Sequence, residues 1–319
     1  MKPYVIGVDL GGTNTVFGIV DAAGNIVQEG SIKTSQYNSA AEFVNAGVEC
    51  INKITKPIGG IDNIQGIGIG APNANYYSGT IEFAPNIKWA HNGIAPLAEM
   101  FIRELGVPVR ITNDANAAAM GEKLYGVAKG MKNFIMLTLG TGVGAGIIVN
   151  GELVYGHDGF AGELGHICMD RSEDARQCGC GLRGCLETYC SATGVARTAR
   201  EFLQKTTRPS ILRNKPADKI ESLDVYNAAL EGDEIAKEIF KFTGTILGWA
   251  CADFTAFSSP EAFVFFGGLC KSGDLIMKPI EEAYKKNVMP LFRNKAKFVI
   301  SSLMDKNAAV LGASALGWV

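Results

Sequence analysis

Tyr4-Val5-Ile6-Gly7-Val8-Asp9-Leu10-Gly11-Gly12-Thr13-Asn14 opens the chain with the pattern of a buried strand that runs into an acidic residue and a glycine turn. A second strand pattern follows from Thr15 to Val20, and Asp21-Ala22-Ala23-Gly24-Asn25 turns the chain into a third. The same order returns at Phe134-Ile135-Met136-Leu137-Thr138-Leu139, then at Gly140-Thr141-Gly142-Val143-Gly144, then from Ala145 to Val149. Asn150-Gly151 is the hairpin signal there, before Glu152 to Tyr155. A strand, glycine turn, strand, hairpin unit that occurs twice implies two related α/β halves, each presenting a glycine turn, with a ligand between them. Chance recurrence in a chain with 39 glycines is the competing explanation.

Helical periodicity fills the intervals at Ala40 to Thr55, Ala95 to Leu105, Ala115 to Tyr125, Ala192 to Gln204, Leu223 to Leu230, Asp233 to Phe257, Leu275 to Asn287 and Asn307 to Leu316. Thr206 to Ser222, rich in Lys, Arg and Pro, reads as an exposed insertion. No low-complexity linker marks a domain boundary.

With 319 residues, 47% of them hydrophobic, the chain has material for two domains with cores of their own. A formal net charge of -2 excludes the global basic field that holds nucleic acid or an anionic membrane, and favours a small-molecule partner. The apolar run that ends at Asp9 is too short for a signal segment, and glycine or polar residues interrupt every later one, so a cytoplasmic location is expected.

Consecutive glycines let backbone N–H groups approach an anion closely, and Gly11-Gly12-Thr13 and Gly140-Thr141-Gly142 each add a threonine hydroxyl. A dinucleotide fingerprint would open a helix, whereas Gly12 is followed by the β-rich Thr15 to Val20. A Walker A loop fails too, because Gly267-Gly268-Leu269-Cys270-Lys271-Ser272 has Cys270 where glycine should precede lysine. Taken singly, either turn is compatible with plain hairpin geometry.

Of eight cysteines, Cys178, Cys180, Cys185 and Cys190 crowd together. His166 with Cys178, Cys180 and Cys185 makes one imidazole and three thiolates, a structural zinc set that fills a tetrahedral shell and leaves no position for a reactive water. Buried thiols, a disulfide or a redox site are the alternatives. Cys50, Cys168, Cys190, Cys251 and Cys270 read as ordinary buried small residues. Zinc on one ring nitrogen of His166 leaves the other for substrate or a supporting partner.

With both turns and the knuckle in place, the chain resembles the ROK family (repressors, open reading frames and kinases), and within it the glucokinases. Gly162-Glu163-Leu164-Gly165-His166 followed by Cys178, Cys180-Gly181, Gly184-Cys185 and Glu187 carries the resemblance. Asp9-x-Gly11-Gly12-Thr13, Pro85-Asn86-Ile87-x-Trp89, Asn113-Asp114-Ala115-Asn116-Ala117 and Leu139-Gly140-Thr141-Gly142 support it in order. The resemblance implies an actin-like (ribonuclease H-like) two-domain ATPase fold, with an interdomain cleft and a zinc knuckle. Its domains are expected at 1–112, completed by a C-terminal helix at 306–319, and at 113–305.

The resemblance further implies sugar contacts at Asn86, Asn113, Asp114, Glu163, His166 and Glu187, and metal ligands at His166, Cys178, Cys180 and Cys185. Nucleotide contacts are implied at Gly11, Gly12, Thr13, Thr141 and Gly142, with Gly267 and Gly268 beside the adenosine. The implied cofactors are ATP, Mg2+ and structural Zn2+, and the implied assembly is a homo-oligomer, dimer or tetramer. Asp9 is the residue expected to coordinate or orient Mg2+, unless it caps a turn. Asp114 is the expected acceptor of the sugar 6-hydroxyl proton, and a helix N-cap is its alternative reading.

The expected reaction is ATP-dependent phosphorylation of a hexose, glucose first, with N-acetylmannosamine or another acetamido sugar as the alternative. A sugar-sensing regulator of the same family, and an actin-like ATPase without a small acceptor, are the rival classes. The chain departs from the family pattern at Gly70-Ala71-Pro72-Asn73-Ala74-Asn75, where Asn73 or Asn75 could enter the sugar pocket.

Overall fold

The computed structural model describes residues 2–303 and 307–318. Strands β1 (Tyr4–Leu10), β2 (Thr15–Asp21) and β3 (Ile26–Ile32) form an antiparallel meander. Helix α1 (Ala40–Thr55) then crosses to β4 (Ile64–Gly70), which pairs with β1 in parallel. Ser39 starts α1 by accepting a hydrogen bond from Glu42 N at 3.2 Å. One stripe of the helix, Phe43, Val44, Ile51 and Ile54, faces the sheet.

The chain next forms a small sheet of β5 (Ala74–Asn75), β6 (Thr80–Glu82) and β7 (Ile94–Ala95). Helix α2 (Leu97–Leu105) returns it to β8 (Val109–Thr112), parallel to β4. Helix α3 (Asp114–Tyr125) follows at once. Phe17, Phe43 and Phe101 are wholly buried in this core, each contributing about 1.5–3 kcal/mol through burial.

A second five-stranded sheet holds β9 (Phe134–Leu139), β10 (Val143–Val149) and β11 (Glu152–Leu153). The short helix α4 (Glu187–Cys190), then α5 (Ala192–Lys205), α6 (Ser222–Leu230) and the long α7 (Glu234–Ser258) lead to β12 (Ala262–Phe266). Helix α8 (Asp274–Asn287) leads to β13 (Lys297–Ile300), and α9 (Ala308–Ser314) closes the fold.

The strand orders are β3-β2-β1-β4-β8 and β11-β10-β9-β12-β13, the same order twice, with the last two strands parallel to the first in each half. That identity is the duplication expected from the two glycine turns, and it is the actin-like arrangement. The glycine pair at 11–12 leads into strand β2, not a helix, as its β-rich continuation indicated.

The chain divides into two compact units, one of Met1–Met131, Gly146–Gly162 and Ser301–Val319, the other of Lys132–Ala145 and Glu163–Ile300. This differs from the expected boundary at 112/113. Helix α3 belongs to the first unit because it packs on α9 and β4. The 146–162 segment belongs there too, since the Tyr155 ring stacks on Tyr76 at 3.9 Å. Within the closing segment expected at 306–319, residues 306 and 319 lie outside the described residues. The expected third strand of the second half, Glu152 to Tyr155, ends at Leu153. Among the described residues no helix is long and apolar enough to cross a membrane.

Candidate functional site

Three parallel strands of the first unit end in a row: Asp9 on β1 lies beside Gly70 on β4, and Gly70 lies beside Thr112 on β8. The chain leaving them carries Gly11-Gly12-Thr13, Ala71 and Asn113-Asp114. Ligands of open α/β sheets bind at such carboxyl ends. The first turn is tight, with Gly11 N donating to Asn14 O at 3.0 Å. A Cβ on Gly12 would lie 2.2 Å from Asn86 O, so only glycine lets this turn abut the Asn86 backbone.

Asn86 is presented by a compact turn in which Ala84 N donates to Ala90 O and Ile87 N to Ala84 O, each at 3.1 Å. Ile87 is buried and the Trp89 ring packs against Phe43 at 5.0 Å, which leaves the Asn86 side chain exposed.

The cap of α3 is Asn113, whose Oδ1 accepts from Asn116 N at 2.7 Å. Asp114 is the first helical residue, and its Oδ1 accepts from the adjacent Ala115 N at 2.9 Å. The capping reading of Asp114 is thereby corrected: the neighbour caps, and an exposed carboxylate stands at the helix N-terminus. Burial, and after it the Asp114 carboxylate, holds the Asp9 carboxyl above the usual carboxylate range. Two acids that feel one another's charge near a strand end are a setting in which a bound cation would be stabilised.

In the second unit the turn after β9 is closed by Gly140 N donating to Gly142 O at 3.0 Å. Ala192 N, at the start of α5, donates to Gly140 O at 2.8 Å, and Thr193 Oγ1 donates to Thr141 O at 2.9 Å. Glu187 Oε2 accepts from Val143 N at 3.0 Å and would lie 2.3 Å from a Cβ on Gly142. Glu187 is therefore half-buried under the turn, not on the open surface. Gly267 takes φ +111° where β12 ends, close against Leu139 O.

A cavity of about 440 Å³ opens beside these turns, with Thr141 and Gly268 on one side and Leu223, Tyr226, Leu269 and Lys271 around them. Sequence reasoning named Thr141 and Gly268 but missed the others. Leu223 is 61% exposed at the cavity, an apolar side chain left open beside the supposed insertion. Ser222, the last residue of that insertion, lines the cavity, so the segment is not merely surface.

His166, Cys178, Cys180 and Cys185 place their ligand atoms within 4.8 Å of one another. Cys180 Sγ and Cys185 Sγ are 3.7 Å apart, and so are Cys178 Sγ and His166 Nδ1. A tetrahedral shell with bonds of ~2.3 Å requires about 3.8 Å between sulfurs. Those two donor pairs are close to that spacing, and every one of these cysteines is free of a disulfide. Burial, and then the neighbouring Cys180 and Cys178 thiols, pushes the Cys185 thiol up to about 12. His166 turns Nδ1 toward Cys178 and Nε2 toward Glu163 Oε2, 3.8 Å away. Among the remaining cysteines, Cys190, Cys251 and Cys270 are buried as expected, Cys50 is half-buried and Cys168 is exposed.

The departure at Ala71 to Asn75 has a structural cause. Asn73 takes φ +52° and donates from Nδ2 to Glu82 O and Phe83 O. Asn75 is 8% exposed and donates from Nδ2 to Asp158 O at 2.9 Å, while its Oδ1 accepts from Tyr77 N at 3.0 Å. Both amides are committed to backbone groups.

Residues 5–318 match the ROK family. A glucokinase of Halalkalibacterium halodurans is 35% identical over 99% of this chain and 94% of its own length. A glucokinase of Streptomyces coelicolor is 35% identical over 98% and 96%. Among solved structures, a ROK family glucokinase from Streptomyces griseus in complex with glucose and AMPPNP is 33% identical, covers 98% of both chains and superposes with a TM-score of 0.76.

Proposed function

The chain belongs to the ROK family, and on that footing we propose that it is an ATP-dependent hexokinase-type phosphotransferase that converts glucose to glucose 6-phosphate. The observation that carries this reading is full-length likeness to glucokinases, one of them bound to glucose and AMPPNP, joined to an uncapped, exposed carboxylate at Asp114. The enzyme is proposed to be cytoplasmic and homo-oligomeric, by the same likeness.

Asp114 accepts the proton of the sugar 6-hydroxyl as the oxygen attacks the γ-phosphorus, and the N-terminus of α3 favours the anionic base. Asn86, Asn113 and Glu163 provide amides and a carboxylate suited to the ring hydroxyls. Glu187 keeps Oε2 on Val143 N and turns Oε1 toward Cys178 Sγ, 3.9 Å away, so its sugar contact would be shared with the knuckle, and His166 offers Nε2 while Nδ1 faces the knuckle. Gly12, Thr13, Thr141 and Gly142 offer N–H groups to phosphates, while Gly11, whose N–H closes the turn on Asn14 O, lets the phosphates approach because it has no side chain. Gly267 and Gly268 flank the adenosine, with Leu223 and Tyr226 against the base.

Asp9 would hold or orient Mg2+, which supplies neutralisation of the transferring phosphoryl charge. Zn2+ is the metal proposed for His166, Cys178, Cys180 and Cys185, because one imidazole and three thiolates would fill a four-coordinate shell, and its role would be to order the loop.

The test is kcat/KM for a panel of hexoses and acetamido hexoses with saturating Mg-ATP. Glucose is expected to lead. An acetamido sugar ahead by about tenfold or more, a gap of ~1.4 kcal/mol, overturns the choice of glucose. ATP hydrolysis indifferent to every sugar overturns the kinase.

A further inference from the structure

We propose that Cys168 and Cys185 form a reversible thiol–disulfide switch that expels the knuckle's metal when a hydroperoxide oxidises Cys168. The inference rests on the four-ligand metal site proposed above and adds to it a fifth cysteine that the site does not use.

Two short runs, 167–169 and 184–186, lie antiparallel: Leu186 N donates to Ile167 O at 2.9 Å, and Met169 N donates to Gly184 O at 2.7 Å. Cys168 and Cys185 face each other between those bonds. That makes them a non-hydrogen-bonded pair, with a Cα separation of about 4.5 Å and side chains on one face. Disulfides span Cα separations of about 4.4–6.8 Å, so the backbone already lies at the near end of the permitted range.

The two thiols differ in access. Cys168 is exposed, while Cys185 is 1% exposed and stands in the ligand set. Cys168 Sγ donates to two carbonyls, Asp170 O at 3.1 Å and Arg183 O at 3.7 Å. Thiols are weak donors, so rotation about χ1 releases it at little cost. An accessible thiol beside a resolving cysteine is the arrangement that redox-sensing pairs use.

The chemistry balances. The Cys168 sulfur attacks the O–O bond of the hydroperoxide, which leaves as an alcohol or water, and Cys168 becomes a sulfenic acid. The Cys185 sulfur then attacks the sulfenic sulfur. An S–S bond forms, the sulfenic oxygen leaves as water, and the Cys185–metal bond breaks. Each sulfur is oxidised by one electron and the peroxide is reduced by two. The metal loses one of four ligands, and a thiol reductant reverses the step.

The experiment treats zinc-loaded protein and metal-stripped protein with equimolar hydrogen peroxide. Zinc release is followed with a chromogenic chelator, and disulfides are mapped by peptide mass spectrometry without reduction. The wild type is expected to lose its zinc as a Cys168–Cys185 crosslink appears, and the crosslink is expected in the stripped protein as well. Cys168→Ser is expected to keep zinc and activity while releasing metal roughly tenfold more slowly or less. A Cys180–Cys185 or Cys178–Cys180 crosslink as the main product, or unchanged release from Cys168→Ser, overturns the switch. Protein that takes up no zinc but still crosslinks Cys168 to Cys185 overturns the metal reading and leaves the pair standing.

Discussion

Asp114→Asn separates chemistry from folding at the residue on which the proposed mechanism turns. The substitution keeps shape and hydrogen bonding but removes basicity. Because Asn113 holds the cap through Asn116 N at 2.7 Å, the variant loses only a surface carboxylate from the first turn of α3, about 0.3–1 kcal/mol. Part of that is offset, since the Asp114 charge also disfavours ionisation of Asp9. A Tm change of no more than ~2–4 °C is expected. Loss of a general base costs ~10²–10⁴ in turnover, or about 2.7–5.5 kcal/mol of barrier. The control is Asn113→Ala, which removes the cap and costs about 1 kcal/mol of stability. Initial rates of glucose-dependent ADP formation, sugar binding by calorimetry and thermal melts of both variants decide the matter. If Asp114→Asn keeps more than about a tenth of wild-type kcat, less than ~1.4 kcal/mol of barrier has been lost and the general-base assignment fails.

Asp9→Asn is expected to abolish Mg-ATP-dependent turnover while raising Tm at neutral pH. The folded-state carboxyl titrates above its ordinary value, so the wild type loses this stabilisation as pH rises through that point, whereas asparagine does not. The gain should vanish below about pH 3.9, where the unfolded carboxyl is also protonated, and a lower Tm for the variant at pH 7 refutes the sign. Tyr226→Ala should raise the KM for ATP by about tenfold, ~1.4 kcal/mol, with the KM for glucose unchanged; equal effects on both would remove Tyr226 from the base pocket. Metal analysis should find about one zinc per chain, lost in Cys180→Ser together with thermal stability, and a metal-free chain of full activity defeats the knuckle.

The elements that were legible in the sequence are those whose pattern is local. Helix α1 occupies the 40–55 interval that its apolar spacing marks, and α7 fills 234–258 against an expectation of 233–257. The four residues proposed as metal ligands were legible because soft donors at short spacing have few other uses, and the structure brings all four together. The cavity residues of α6 were not, because Leu223 and Tyr226 carry no chemistry that distinguishes a base pocket from a helix face. The domain boundary was misplaced for a related reason. Whether α3 and the 146–162 segment pack on the first or the second sheet is decided by contacts such as the Tyr76–Tyr155 stack, and these have no signature at either position alone. Cys168 was read with the other cysteines as an ordinary buried small residue, but it lies in an isolated bridge pair and is exposed.

The duplication also accounts for the division of labour between the halves. Strand β4 and strand β12 hold the same place in their sheets, each parallel to the first strand and fourth in topological order. After β12 the chain turns at once through Gly267 and Gly268 and borders the cavity proposed for adenosine. After β4 it instead runs into the small β5–β7 sheet, and that sheet holds the turn that exposes Asn86. The family departure at Ala71 to Asn75 sits at the root of this elaboration. Asn73 braces the carbonyls of 82 and 83, and Asn75 ties the sheet to Asp158. Selectivity around the sugar ring therefore does not pass through those two amides. In the proposed reading it falls to the exposed Asn86 and to Asn113, Glu163, His166 and Glu187. Replacing Asn73 or Asn75 acts on the stability of the β5–β7 sheet before it acts on the choice of hexose.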